Sequence, residues 1–288
     1  MVSFKRLLKQ IYRPNPRNLK GAAQDTGTSG SGGNNGGPSA SLDSNQPVAP
    51  STSIQRLFPG NNIYNLIEVH VPDNAIVDIV FLHGLTGCAD TTFLHKETGT
   101  FWPVDLLPNE IDNARVLTFG YDVDVAKLFQ PVGQNNLQSH AKNLMNDLAR
   151  KRENTASVSR KIIFVAHSLG GLVVKKTLAL SENSADEHLT QIARHTVGIA
   201  FLGTPHRGSD LAPFAKAVAN IVKASTKRIN ANILGVLNRN SETLADVEDS
   251  FMTWLRRYPG RCELTCFFEE LEFRGIGMVV EQESAYKC

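Results

Sequence analysis

Ser168 is the residue best placed to do covalent chemistry, in the run Ala166-His167-Ser168-Leu169-Gly170-Gly171. The preceding KIIFVAH is short and almost wholly apolar, the mark of a strand inside a parallel sheet covered on both faces. The following GGLVVKKTLAL continues as a helix. A serine in a tight strand-to-helix turn has its hydroxyl lifted clear of the sheet at the positive end of the helix. The chemistry this allows is attack on a carbonyl carbon and formation of an acyl-enzyme. The turn is steric, so the residues two before and two after the serine must be small. Gly170 meets that condition and Ala166 stands where G-x-S-x-G has glycine. A serine that merely caps a helix would fit the same six residues.

Two further loops separate the readings. His83-Gly84-Leu85-Thr86-Gly87 follows an earlier buried run, IVDIVFLH. In α/β-hydrolases the loop at this point gives one backbone N–H of the oxyanion hole, and the residue after the nucleophile gives the other. Those donors are expected to be Leu85 and Leu169. By itself the loop would be a glycine turn beside a buried histidine. The third loop is Gly203-Thr204-Pro205-His206-Arg207-Gly208-Ser209-Asp210, again just after a strand. Loops at the carboxyl ends of parallel strands converge on one crevice, so His206 is expected near Ser168, as a base, a loop anchor or a substrate contact. Asp210 is expected to cap the next helix.

The elements that position these loops alternate along the chain. Strands are expected at Asn65–Val71, Ile76–His83, Ala114–Tyr121, Lys161–His167, Val197–Gly203, Glu263–Glu269 and Gly277–Glu281. Leu137, Ala141, Leu144 and Leu148 mark an amphipathic helix, and Val173–Leu180 another. Leu211, Phe214, Val218 and Ile221 line one later helix; Leu244, Val247, Phe251, Trp254 and Leu255 line the next. The alternation argues an α/β fold with a doubly wound, mostly parallel sheet.

At 288 residues with 41% hydrophobic content, the chain holds one large domain and a tail. A net charge of +2 points to no nucleic-acid partner. Cys88, Cys262, Cys266 and Cys288 show no metal-ligand spacing and are expected as free thiols, because a domain this large needs no disulfide framework. Nothing in the sequence calls for a cofactor or a metal, and serine chemistry requires neither. No apolar run approaches the ~20 residues of a membrane-spanning helix. Residues 1–20 carry Lys5, Arg6, Lys9, Arg13, Arg17 and Lys20, with Phe4, Leu7, Leu8 and Ile11 at helical spacing. This segment reads either as a basic amphipathic targeting or membrane-surface helix or as a solvated tail. Residues 21–53, rich in Gly and Ser, read as a disordered linker. The folded domain is expected over 54–288.

The phrases FLHGLTG, FWPVDLLPNEIDNARVLTFGYD, FVAHSLGGLVVKK and FLGTPHRGSDLA resemble the serine esterase domain family, lipase-like α/β-hydrolases. The same domain is found in the serine-active-site-containing protein, linked to mitochondria and phosphatidylglycerol remodelling. It also opens fungal proteins with nucleotide-binding, ankyrin or tetratricopeptide modules. The resemblance runs from about Ile63 to the C-terminus. It implies an α/β-hydrolase fold, an ester or lipid substrate, and a place at the mitochondrion or endoplasmic reticulum in contact with membrane, against a cytoplasmic alternative. It implies a triad in the order Ser, acid, His, with Glu269 as the acid and Glu270 second; a solvated strand end is the plainer reading of both. The family's histidine follows the last strand, but the last histidine here is His206, and the domain is therefore expected to lack its C-terminal His loop and closing helix. His167 should point away from the Ser168 hydroxyl and His83 should shape the oxyanion loop, which leaves His206 as the stand-in base. An oxyanion hole alone retains roughly 10³–10⁴ of catalysis over water. Two functions stay open: a serine esterase working through Ser168, and an inactive or truncated domain that serves as a binding module. Neither the acyl-chain preference nor the oligomeric state is legible.

Overall fold

The computed structural model describes residues 57–58, 64–84, 87–122, 133–206 and 241–267. The N-terminal segment and linker, Leu85, the helix expected from Leu211, the strand expected at Gly277–Glu281, and Asp210, Glu269 and Glu270 lie outside the described residues.

A six-stranded sheet forms the centre, with β1 (Asn65–His70), β2 (Val77–Leu82), β5 (Ala114–Gly120), β6 (Lys161–His167), β7 (Thr196–Leu202) and β8 (Glu263–Phe267) in the order β1-β5-β2-β6-β7-β8. Only β1 runs antiparallel; every other pair is parallel. A small hairpin of β3 (Leu94–His95) and β4 (Thr100–Phe101) stands apart from it. This is the mostly parallel sheet of an α/β-hydrolase, with β2 and β6, the strands before the two glycine loops, side by side at its middle.

Every residue of β2 and β5 is buried, as continuous apolar runs with neighbours on both sides require. Alternate residues divide between two cores. Val80, Leu82, Leu117, Phe119, Phe164 and Ala166 pack under the longer helices: α3 (Gly133–Asn154), α4 (Gly170–Glu182), α5 (Glu187–His195) and α6 (Ser241–Arg257). Leu137, Ala141, Leu144 and Leu148 all enter this core, as their spacing predicts. Ile79, Phe81, Val116, Ile163 and Val165 face the other side, covered by the hairpin and two single-turn helices, α1 (Trp102–Asp105) and α2 (Leu107–Glu110). Proline in the first turn of α1 and α2 suits a helix start and helps to keep both short.

A buried ionic cluster sits near the amino ends of β2 and β5. Asp78, wholly buried, accepts two bonds from Arg115 (both 2.8 Å), one from Arg152 (2.6 Å) and one from Arg160 (3.0 Å). Arg115 also reaches Thr155, and Arg152 bonds the carbonyls of Val158 and Arg160. Four donors on one carboxylate satisfy a charge that could not otherwise be buried. The cluster ties β2 and β5 to the end of α3, opposite the glycine loops.

The thiols depart from expectation at one position. Among the described residues Cys88 and Cys262 are free, but Cys266 is disulfide-bonded. Domain size shows only that a disulfide is dispensable; it does not forbid one. Burial pushes the Cys262 thiol up to about 12, so it stays protonated at neutral pH.

Candidate active site

Ser168 occupies the turn between β6 and α4 with φ at 51°. For a residue with a β-carbon this left-handed region costs about 1–3 kcal/mol and persists only where the surroundings impose it. Here they do. The Ser168 N–H donates to the Leu202 carbonyl at 2.8 Å, and its own carbonyl accepts from the Gly171 N–H (3.1 Å) and the Thr204 hydroxyl (3.0 Å). The end of β7 and the loop after it therefore grip both sides of the serine. Gly170 has no room to be anything else: a Cβ there would stand 2.6 Å from the His83 carbonyl oxygen and 3.0 Å from that of Leu82. Ala166 lies wholly buried beside Leu82 and Phe201 in the strand register.

The glycine loop after β2 comes against this turn. The Gly87 N–H donates to the Gly84 carbonyl at 3.2 Å, closing the loop on either side of Leu85. The Leu169 N–H, at the head of α4, meets no acceptor among the described residues, so one of the two expected oxyanion donors is free to bind. Its side chain packs in the core, as a residue working through its backbone can.

His83 locks the loop to β5. Its Nε2 accepts from the Tyr121 N–H (3.1 Å), which places the proton on Nδ1, and Nδ1 donates to the Gly84 carbonyl (3.0 Å). The Tyr121 hydroxyl returns a bond to the His83 carbonyl at 2.7 Å, and the two rings stack with centroids 4.3 Å apart. Burial pulls the His83 pKa down to about 4, so the ring is neutral at physiological pH. His167 lies beside Gly84 with its Nδ1 buried and, among the described residues, without a hydrogen-bond partner.

His206 is buried near the elbow, and both of its ring nitrogens meet partners among the described residues. Its Nδ1 stands 2.8 Å from Lys175 Nζ, so the imidazole accepts from the ammonium. The proton is then on Nε2, which faces Cys266 Sγ at 3.5 Å. The ring lies edge-on to Phe201. Burial first, and the Lys175 charge second, pull the His206 pKa down to about 3. Lys175 in turn donates to Glu248 of α6 at 2.5 Å. Sequence reasoning passed over Lys175, Glu248, Thr204 and Tyr121. For Lys175 a signal was present: a lysine within the apolar GGLVVKKTLAL helix, on the face that turns into the core.

The model of the family described as "Putative serine esterase (DUF676)" matches residues 79–258, well over half the chain. The chain belongs to this family. That span of the serine esterase family includes the Gly84 loop, the elbow, the 203–206 loop and α6. Among curated relatives, Protein SERAC1 of Danio rerio is 27% identical over 190 residues, and that of Homo sapiens 24% over 196. These matches cover 61% and 62% of this chain but only 28% of each relative, so the similarity spans little more than a quarter of those proteins. The Bacillus licheniformis lipase BlEst2 overlaps 68% of the chain and 67% of its own, at 18% identity and a TM-score of 0.40. A carboxyl esterase from Bacillus coagulans gives 12% identity, 75% and 77% coverage and a TM-score of 0.38. At such scores these overlaps add nothing to what the strand order and the elbow establish. Among the described residues no cluster of His, Cys, Asp or Glu could hold a metal, and no helix is long and apolar enough to cross a membrane.

Proposed function

We propose that this serine esterase family member hydrolyses carboxylic esters through an acyl-enzyme on Ser168. The observation that carries the reading is the positive φ of Ser168 at the end of β6, with Gly84 packed against it. Ser168 Oγ adds to the ester carbonyl, and the oxyanion takes hydrogen bonds from the Leu169 and Leu85 amides. Collapse breaks the C–O bond, the leaving alkoxide takes up a proton, and water then cleaves the acyl-serine to release the acid. The proton lost by Ser168 ends on the leaving alkoxide, and in this arrangement neither His83 nor His206 relays it, each having its acceptor nitrogen already occupied. Glu269, past the end of β8, is the carboxylate we assign to the acid role. The substrate class we favour is an acyl lipid, including phospholipids undergoing remodelling. Residues 1–20 would bring the domain to a mitochondrial or endoplasmic-reticulum membrane surface.

A second reading is favoured by the same occupied imidazoles: a domain that binds its ligand without turnover. A fluorophosphonate probe separates the two. Labelling of the 288-residue chain that disappears in Ser168→Ala supports the esterase; a chain left unlabelled at Ser168 supports the binding module.

A further inference from the structure

We propose that Lys175 is a positioning residue for the Ser168 elbow, acting through His206 and the loop that joins it to Thr204. The inference rests on the reading of Ser168 as the nucleophile. Lys175 is wholly buried on α4, and its ammonium is held between Glu248 Oε2 (2.5 Å) and His206 Nδ1 (2.8 Å). The rings of Phe201 and Phe251 lie 5.2 and 5.3 Å from Nζ, within the range of a cation–π contact. Four elements thus meet on one atom: the elbow helix, α6, the end of β7 and the loop after it.

Such a cluster is a poor way to gain stability, since apolar side chains of similar volume commonly do as well or better. What it supplies is a fixed geometry. His206 is bound on one side by Lys175 and faces Cys266 of β8 on the other. The same loop is fixed to β8 by the Gly203 N–H, which donates to the Phe267 carbonyl at 2.8 Å. Thr204, between these two anchors, donates to the Ser168 carbonyl. A strained φ at Ser168 holds only while its carbonyl is gripped, and the grip holds only while the loop is fixed. Lys175 closes that circuit, because it sits on the helix the elbow begins.

The test uses K175M/E248M, which removes both charges and keeps apolar volume, in the full 288-residue chain. Two quantities are read: the fluorophosphonate reaction at Ser168, resolved into probe affinity and bond-forming rate, and amide hydrogen exchange at the elbow and the 203–206 loop. The expected result is a bond-forming rate at least about tenfold lower with affinity unchanged, as for a group that acts only on the reacting geometry. The Ser168, Gly171 and Gly203 amides should exchange at least about tenfold faster, while β2 and β5 amides keep their protection. Wild-type values for both quantities would overturn the proposal. If the double variant does not fold, E248Q carries the same expectations, and unchanged exchange in it overturns the proposal equally. If the wild-type chain is not labelled at Ser168, the esterase reading fails, and the exchange measurement alone decides the role of Lys175.

Discussion

Gly84 and Ser168 are packed so closely that a single methyl on the first would stand 2.6 Å from the β-carbon of the second. The same methyl would lie 2.9 Å from both the Nδ1 and the carbonyl oxygen of His167. Gly84 and the turn after β6 are therefore in close contact, with no room for a side chain between them.

Gly84→Ala is expected to part them. The shift needed is several tenths of an ångström, and a misplacement approaching 1 Å costs about 10²-fold in rate. The rate of fluorophosphonate labelling should fall by between ten- and a hundredfold, with the melting temperature lowered by only a few degrees. An unchanged labelling rate would show that this contact does not set the reactive geometry.

Asp78→Ala should do the opposite. Removing the carboxylate leaves Arg115 and Arg152 buried without their shared counter-charge, a loss of about 3–5 kcal/mol. Urea denaturation should show that loss. Because the cluster lies at the far end of β2 from Gly84, the labelling rate of the fraction still folded should be close to wild type.

Acid should weaken the fold before any carboxylate is neutralised. His83 and His206 have folded pKa values of about 4 and about 3, below the ordinary 6.5. Above pH 6.5 both are neutral in either state and the stability is at its full value. As the pH drops below 6.5 the unfolded chain binds protons that the folded one refuses, so stability falls, by about 1.4 kcal/mol per pH unit for each group. The loss from each ends once the pH passes its folded value. Denaturation midpoints measured from pH 8 to 4.5 should be level above about 6.5 and decline below it. A His206→Gln variant should decline less steeply; a slope identical to wild type would sink the assignment.

Much of this was legible in the sequence. Strands such as KIIFVAH and ARVLTFGY declare themselves because both faces are buried and nearly every residue must be apolar. The elbow was legible for a related reason: a steric constraint selects residue types at fixed spacing, and Gly170 meets it visibly. The α1–α2 pair was missed because single-turn helices carry too few residues to show a period. The helix α5 was missed although Leu189, Ile192 and Ala193 lie on one face, because it is only nine residues long and runs directly into the next strand. The roles of His83 and His206 were only partly legible. Topology brings a histidine to the crevice, but its tautomer is set by whatever meets each ring nitrogen, here the Tyr121 amide and the Lys175 ammonium. Those partners come from 38 positions downstream and 31 positions upstream respectively, distances at which sequence spacing conveys nothing.

The ionic cluster around Asp78 has a consequence for how the domain can diversify. The strand β2 carries its Asp78 anchorage near one end and opens into the Gly84 loop at the other. Insertions or exchanges in the loops beyond β2, β6 and β7 leave the Asp78 clasp untouched. The scaffold can therefore be regrafted for a new ester by changing one rim of the sheet, with the opposite rim serving as a fixed foundation.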